Sequence, residues 1–369
     1  VSSQETATPA VESQAEISLK PHSQNDHLRS QPFPHEFLPG ARNAVVTCLR
    51  IQPEEKVTLI TDRSCIAIAA SIAHELDDLG CDWNGFILEE IAPRPLGAMP
   101  ELVLEDMESS QVSIFAVEVQ PNELRSRMQM TDVVNRRRMR HAHMVNITAD
   151  IMTQGMCADF LEIDRLSQAV LDLVRKATYV RATTPAGTDI YAQLSSDYRW
   201  FKTSGIISTE KWGNLPGGEC FTAPLEVNGI FVVDGVVGDF LCKQYGLLDR
   251  NPLTLFIENN RLVRAVSENK ALERDFWAYT HTDENSDRVG EFAIGTNIGV
   301  ERVIGNILQD EKFPGIHIAF GDPYGAHTGA PWKSSTHIDV VGLRFSIWLG
   351  NAEGEEVQIM RDGDFLISA

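Results

Sequence analysis

The stretch VTLITDRSCIAIAASIAHELDDLG, residues 57–80, decides how the first half of the chain is read. VTLI at 57–60 is a short, mainly β-branched apolar run of the kind that fills a buried strand. Thr61 and Asp62 follow with turn or N-cap chemistry. From residue 65 to 79, Ile68, Ile72 and Leu76 recur four apart, which predicts a helix closed by Gly80. Strand, polar loop, helix and glycine in that order form the pattern of a parallel βαβ unit.

Working outward, VSIFAVEV at 112–119 predicts another strand. Residues 160–177 predict a long helix with Leu161, Ile163, Leu166, Val170, Leu171 and Val174 on one stripe. No GxGxxG follows these strands, so a dinucleotide site has no support. After residue 178 the texture changes. Turns rich in Gly, Asn and Asp separate strand-like runs at 179–182, 229–233, 253–258, 317–320, 338–347 and 358–361, with helices expected at 268–281 and 299–308. The expected architecture is an α/β N-terminal domain with a parallel-type sheet, residues 37–180. A strand-rich α+β metal-binding domain, residues 181–369, follows it. Residues 1–36 read as a disordered tail, because Ser, Gln, Thr, Glu and Pro dominate and the first aromatic residue is Phe33.

Composition narrows the function. The chain has 369 residues, which suits a pair of domains at roughly 150 residues each. Asp and Glu number 52 against 32 Lys and Arg, a net charge of −20. Such a field repels phosphate backbones and disfavours nucleic acid as a partner. The local exception, Arg136, Arg137, Arg138 and Arg140, reads as a solvated helix face or as partners for nearby acids. His141 and His143, beside it, form an HxH that reads as part of a surface helix, with a separate ligand pair as the alternative. No stretch approaches the ~20 apolar residues that cross a bilayer, so no membrane partner is expected. The opening residues show no secretory pattern. The 6 cysteines include no CxxC pair and sit mostly among apolar neighbours, which suits free thiols in a reducing cytoplasm.

The second half carries the chemistry. In THIDV, His337 and Asp339 stand two apart, so a strand presents an imidazole and a carboxylate side by side. In IHIAFG, His317 interrupts an apolar strand. In GGECF and GEFAI, Glu219 and Glu291 each follow a glycine and precede an apolar run. A carboxylate at the mouth of an apolar strand needs a cation or donors nearby. Together these are hard nitrogen and oxygen ligands suited to a pair of divalent metals. Metals ~3.5–4 Å apart can generate a hydroxide and polarise a carbonyl at once. No cysteine belongs to the set, which argues against a structural zinc site.

NLPGGECFTAP (214–224), GEFAIGTN (290–297), HIAFGDPYG (317–325) and SSTHIDVVG (334–342) resemble, in order and rough spacing, the motifs of the aminopeptidase T family of metallopeptidases. AGTDI (186–190) resembles that family's GTDL segment, and the similarity covers most of 40–369. The resemblance implies a dinuclear centre using zinc, cobalt or manganese that removes N-terminal residues from short peptides. It implies Glu219, Glu291, His317, His337 and Asp339 as metal ligands. Glu219 or Glu291 would carry the proton, and Tyr324 would hydrogen-bond the developing oxyanion. A homodimer with an enclosed site is also implied. Two features depart from the family. The stretch from His317 to His337 is shorter, and VVGLRFSIW lacks a Met-containing run. His327 lies in the shortened loop as a candidate substrate contact. A related group keeps only the two histidines and the aspartate and comprises non-haem iron dioxygenases that open dihydroxypyridine rings. A specialised hydrolase or such a dioxygenase is therefore the alternative reading, and retention of both glutamates favours the two-metal hydrolase.

Overall fold

A computed structural model describes residues 24–367; residues 1–23 of the expected tail and 368–369 lie outside the described residues. The strand Lys56–Thr61 leads through Asp62, whose Oδ1 accepts from the Cys65 amide at 2.8 Å, into the helix Ile66–Leu79. Gly80 ends that helix at φ 76, a left-handed conformation that costs a residue without Cβ little. The strands Asp82–Ile87, Lys56–Thr61, Val112–Val117 and Arg140–Val145 lie side by side in that order, all parallel. The strand order reverses between Lys56–Thr61 and Val112–Val117, where open α/β sheets commonly receive ligands. At that point acidic groups gather around one arginine. Buried Arg94 bonds Asp62 at 2.6 Å, Glu123 at 2.5 Å and the Glu118 carbonyl at 2.7 Å, and the Glu118 amide donates to Asp62.

The strand-rich part forms two antiparallel sheets. The eight-stranded one runs Arg261–Val266, Leu253–Glu258, Glu226–Val233, Asp189–Gln193, Tyr179–Thr183, Ser346–Gly350, Glu356–Arg361 and Asp364–Phe365. The five-stranded one runs His337–Val341, Gly315–Gly321, Val289–Gly295, Glu219–Thr222 and Phe201–Thr203. Their facing residues, among them Phe231, Phe345, Ile347, Phe292, Ile318 and Val340, share one apolar core. The helix Phe160–Val174 joins the two halves. Phe160 and Ile163 pack with Ile72 and Ile114, whereas Leu166, Val170 and Val174 enter the core between the antiparallel sheets. The short strand Gly213–Asn214 crosses back to extend the parallel sheet beside Arg140–Val145.

Several expectations need correction. Residues 25–36, placed in the tail by composition, are folded. Asn25–Ser30 is a helix whose Leu28 is fully buried. Asn25 brackets the strand Asp82–Ile87 through the Trp83 carbonyl and the Gly85 amide, and Arg29 grips both oxygens of Asp77. Leu28 occupies space left by Gly85, where an added Cβ would lie 2.3 Å from it. One apolar anchor with satisfied polar neighbours outweighs the polar average.

The helix expected at 299–308 is reduced to Ile307–Asp310. The Asp310 carboxylate captures the amides of Ile304, Gly305 and Asn306, which holds the preceding chain as a loop. The run 338–347 splits into strands of different sheets, with Arg344 at φ 60 in the turn between them.

His141 and His143 lie in a buried strand instead of a surface helix. His141 Nδ1 meets Ser113 Oγ at 2.8 Å, and its Nε2 meets His143 Nδ1 at 3.1 Å. Burial, aided by the charge of Arg127, pushes His143 down to about 3, so it packs as a neutral ring against Phe115 and Trp212. The neighbouring arginines do pair with acids: Arg136 with Glu108, Arg138 with Glu210 and Arg140 with Glu55. The cysteines are free, and Cys157 is the exposed one. Among the described residues no helix is long and apolar enough to cross a membrane.

Leu28→Ala should lower the free energy of unfolding by about 2–5 kcal/mol in urea denaturation, as expected for an emptied core position. A solvated tail would give no change.

Candidate metal centre

Antiparallel pairing places directly opposed residues on the same face of a sheet. In the five-stranded sheet, Glu219 opposes Gly295, Glu291 opposes Ala319, His317 opposes Ala293, Asp339 opposes Ala319 and His337 opposes Gly321. All the expected ligands therefore project from one face, each with glycine or alanine as a ladder partner. Those small partners leave room above the sheet. The alternate residues Cys220, Phe292, Ile294, Ile316, Ile318, Phe320, Ile338 and Val340 enter the apolar core behind it. A bulge at Gly290 shifts the register between Val289 and Glu291, so that Val289 points to the core and Glu291 to the site. Gly218, just before Glu219, sits at φ +131 against Asn297, where an added Cβ would lie 2.6 Å away. Only glycine fits that approach without strain.

The side chains converge as two overlapping groups. Ligand atoms of Glu219, Glu291 and His317 lie within 4.8 Å of one another, and so do those of Glu291, His337 and Asp339. Glu291 belongs to both: its Oε1 is 3.3 Å from His317 Nε2 and its Oε2 is 3.7 Å from His337 Nε2. His337 Nε2 is also 3.3 Å from Asp339 Oδ1, and its Nδ1 donates to the Asp322 carbonyl at 2.9 Å. That bond fixes the ring so that Nε2 faces the carboxylates with its lone pair once the ring is neutral. The first group is deeper. His317 has 2% of its side chain exposed, whereas His337 keeps 18% and Asp339 13%.

The electrostatics show a site that demands positive charge. Burial favours neutral histidines here, yet the hydrogen bond to Glu291 and the charges of Glu219 and Glu291 raise His317 to about 9. Asp339 and Glu291 likewise overcome burial at His337 and raise it to about 10. Burial opposes ionisation of Asp339, but the charge of His337 holds it at about 2. Buried carboxylates gathered around imidazoles, with no thiolate among them, are a donor set suited to hard divalent cations. The residues present therefore fit a metal centre.

Two functional neighbours were not visible in the sequence. Lys312 is a fully buried lysine whose Nζ lies 2.7 Å from Glu219 Oε1 and 2.6 Å from Glu311 Oε1. Its charge outweighs burial and lowers the Glu219 pKa, while burial raises Glu311 to about 7. Thr203 Oγ1 adds a 2.7 Å bond to Glu219. In sequence, Glu311-Lys312 looks like an exposed turn between a helix and a strand, and no periodic pattern marks it.

The loop after the strand Gly315–Gly321 closes one side of the site. Tyr324 adopts a left-handed backbone, φ 50, with its amide bonded to Asp322, and its ring centre is 4.4 Å from that of His337. Asp283 ties the end of the loop down by accepting from the Ser335 amide at 2.7 Å and from the hydroxyls of Ser334 and Ser335. Tyr324 and His327 join Glu219, Glu291, His337 and Asp339 in lining a pocket of about 420 Å³.

Comparison with known proteins agrees with this architecture. Aminopeptidase T (AmpT) from Thermus thermophilus superposes with a TM-score of 0.65 at 15% identity, covering 90% of this chain and 99% of that one. The 2,5-dihydroxypyridine dioxygenase of Pseudomonas putida KT2440 superposes with a TM-score of 0.64 at 15% identity, covering 91% and 98%. At that identity both establish a shared fold and no more. No curated protein matches in sequence. The model of the family described as thermophilic metalloprotease (M29) matches residues 157–365, more than half of the chain and the whole of the five-stranded antiparallel sheet. On that match, the chain belongs to the thermophilic metalloprotease (M29) family.

Proposed function

We propose that this protein is a metal-dependent aminopeptidase that removes N-terminal residues from short peptides. A pair of divalent ions, zinc, cobalt or manganese, would be held by Glu219, Glu291, His317, His337 and Asp339. In this reading residues 37–180 form the supporting unit and 181–369 the catalytic one. The observation that carries it is the shared carboxylate: Glu291 lies in both ligand groups, as a bridge between adjacent cations requires. Family membership and the AmpT-like fold support the peptidase reading.

When bound, such a metal pair lowers the pKa of a water and polarises a carbonyl. The protein's own groups do the rest. His337 and Asp339, the more exposed members, meet the substrate side of the centre. Glu219 is engaged by Lys312 and Thr203, which keeps it ionised and oriented. Glu219 or Glu291, whichever keeps a carboxylate oxygen free of the cations, would take a proton from water and deliver it to the leaving amine, a role worth about 10²–10⁴ in rate. The Tyr324 hydroxyl donates to the oxyanion, and loss of one such donor costs roughly 10²–10³. The iron dioxygenase remains the second reading, because the fold is shared with such an enzyme and His317, His337 and Asp339 are residue types of a two-histidine, one-carboxylate set, although neither ligand group within 4.8 Å contains all three. The presence of Glu219 and Glu291 in the same cluster favours the hydrolase.

Glu291→Gln and His337→Ala should each bring bound metal below two ions per chain, by elemental analysis, and abolish hydrolysis. Full metal content and full activity in both would overturn the assignment. Aminoacyl-p-nitroanilides with Co²⁺, Zn²⁺ or Mn²⁺, run against oxygen uptake with Fe²⁺ and dihydroxylated aromatics, separate the two reactions. In the metal-free protein His317 and His337 keep their protons until about pH 9 and 10, and a cation needs the neutral rings. Zinc uptake at neutral pH should therefore acidify a weakly buffered solution, and apparent affinity should rise with pH. Lys312→Met leaves buried carboxylates uncompensated and should destabilise the metal-free protein by about 3–5 kcal/mol in denaturant titrations.

A further inference from the structure

The same pocket holds a cation that the proposed reaction does not use. Of the two lysines lining it, Lys312 is bonded to Glu219 and Glu311, whereas Lys211 has no carboxylate within ion-pair distance among the described residues. Lys211 lies in a tight turn in which its amide and carbonyl both bond Ser208. Its Nζ donates to the Lys202 carbonyl at 2.7 Å and stands 4.9 Å from the centre of the Phe201 ring. An ammonium group carries three donors, so capacity remains. Of the nearby charges, Lys202 pairs with Asp164 at 2.8 Å and Glu210 of the same turn pairs with Arg138, while Arg199, 6.0 Å from the same ring, bonds the Ala326 carbonyl.

The position relative to the metal centre is defined by a row of rings. Tyr324 contacts His337, Phe221 lies 6.4 Å from Tyr324, and Phe201 stacks on Phe221 at 5.7 Å. Lys211 caps the far end of that row. Burial lowers Lys211 to about 8, against the raising charge of Glu219, so an arriving anion would relieve a poorly solvated charge.

We propose that Lys211 determines specificity by receiving a substrate carboxylate, so that the pocket selects short peptides carrying a free carboxylate beyond the scissile bond or in the N-terminal side chain. This rests on the aminopeptidase reading and sharpens it. A half-buried ammonium with spare donors favours a ligand that brings the matching acceptor. Lys211 lines the same pocket as Glu219, Glu291, His337 and Asp339, and its volume of about 420 Å³ is of the size that encloses a small ligand.

The test compares leucylglycine with leucylglycinamide, and glutamyl- with leucyl-p-nitroanilide, in the wild type, Lys211→Met and Lys211→Arg. The wild type should favour the acid over its amide by at least about tenfold, the magnitude of one charge-assisted bond, through KM and not kcat. Lys211→Met should erase that ratio and Lys211→Arg should restore part of it. If the lost preference is instead between the two anilides, the side-chain carboxylate is the group bound. A wild type without either preference, or a Met variant that lowers kcat equally for acid and amide, would overturn the proposal. Binding is read independently from Trp212 fluorescence in the metal-free protein, since Trp212 lines the pocket. Acid-selective, Lys211-dependent binding without hydrolysis in any metal would retire the peptidase reading and keep the role of Lys211. Hydrolysis without selectivity would do the reverse.

Discussion

Carboxylates brought together away from water repel one another and lose hydration, and a fold that gathers them has to supply positive charge at the same place. That constraint organises this molecule. Glu219, Glu291, Glu311 and Asp339 line a single pocket, and the protein answers them with Lys312 from a loop and with imidazoles on neighbouring strands. What the protein answers only in part, a cation can complete. The same balance explains why the histidines hold their protons so firmly in the metal-free state.

The antiparallel sheet is the device that makes the gathering affordable. Its back face is hydrocarbon and anchors every ligand-bearing strand in the core between two sheets. Its front face sets each of these functional groups opposite a glycine or an alanine, with Phe221, Thr203 and Val341 completing it. The parallel half contributes walls: Val145, Asn146 and Asn135 stand at the pocket, and the strand Gly213–Asn214 fastens the two halves together. The Asp283 latch holds the Tyr324 loop from outside, so the loop is positioned without taking a ligand from the centre.

Much of this was legible because period and spacing report local geometry. The run 57–80 gave strand, Asx turn, helix and cap. The two-residue spacing of His337 and Asp339 gave a shared face. The convergence of Glu219, Glu291 and His317 was legible only through motif order, since strand pairing is not written locally. Tertiary satisfaction hid the rest. Leu28 is a single apolar residue in a polar stretch. Asp310 holds 304–306 as a loop by hydrogen bonds that no propensity reveals. His141 and His143 sit in a strand whose burial is set by Trp212 and Phe115. Lys312 looks solvated until its partners, Glu219 in another strand and Glu311 beside it, are seen to be buried too.

The strict alternation across the five-stranded sheet has one more consequence. A strand displaced by one residue would exchange its two faces, turning isoleucine and phenylalanine toward the pocket and carboxylates into hydrocarbon. No intermediate alignment satisfies both sides. Correct pairing and the capacity to take up metal are therefore acquired in the same step, and ion content becomes a report on the fidelity of folding.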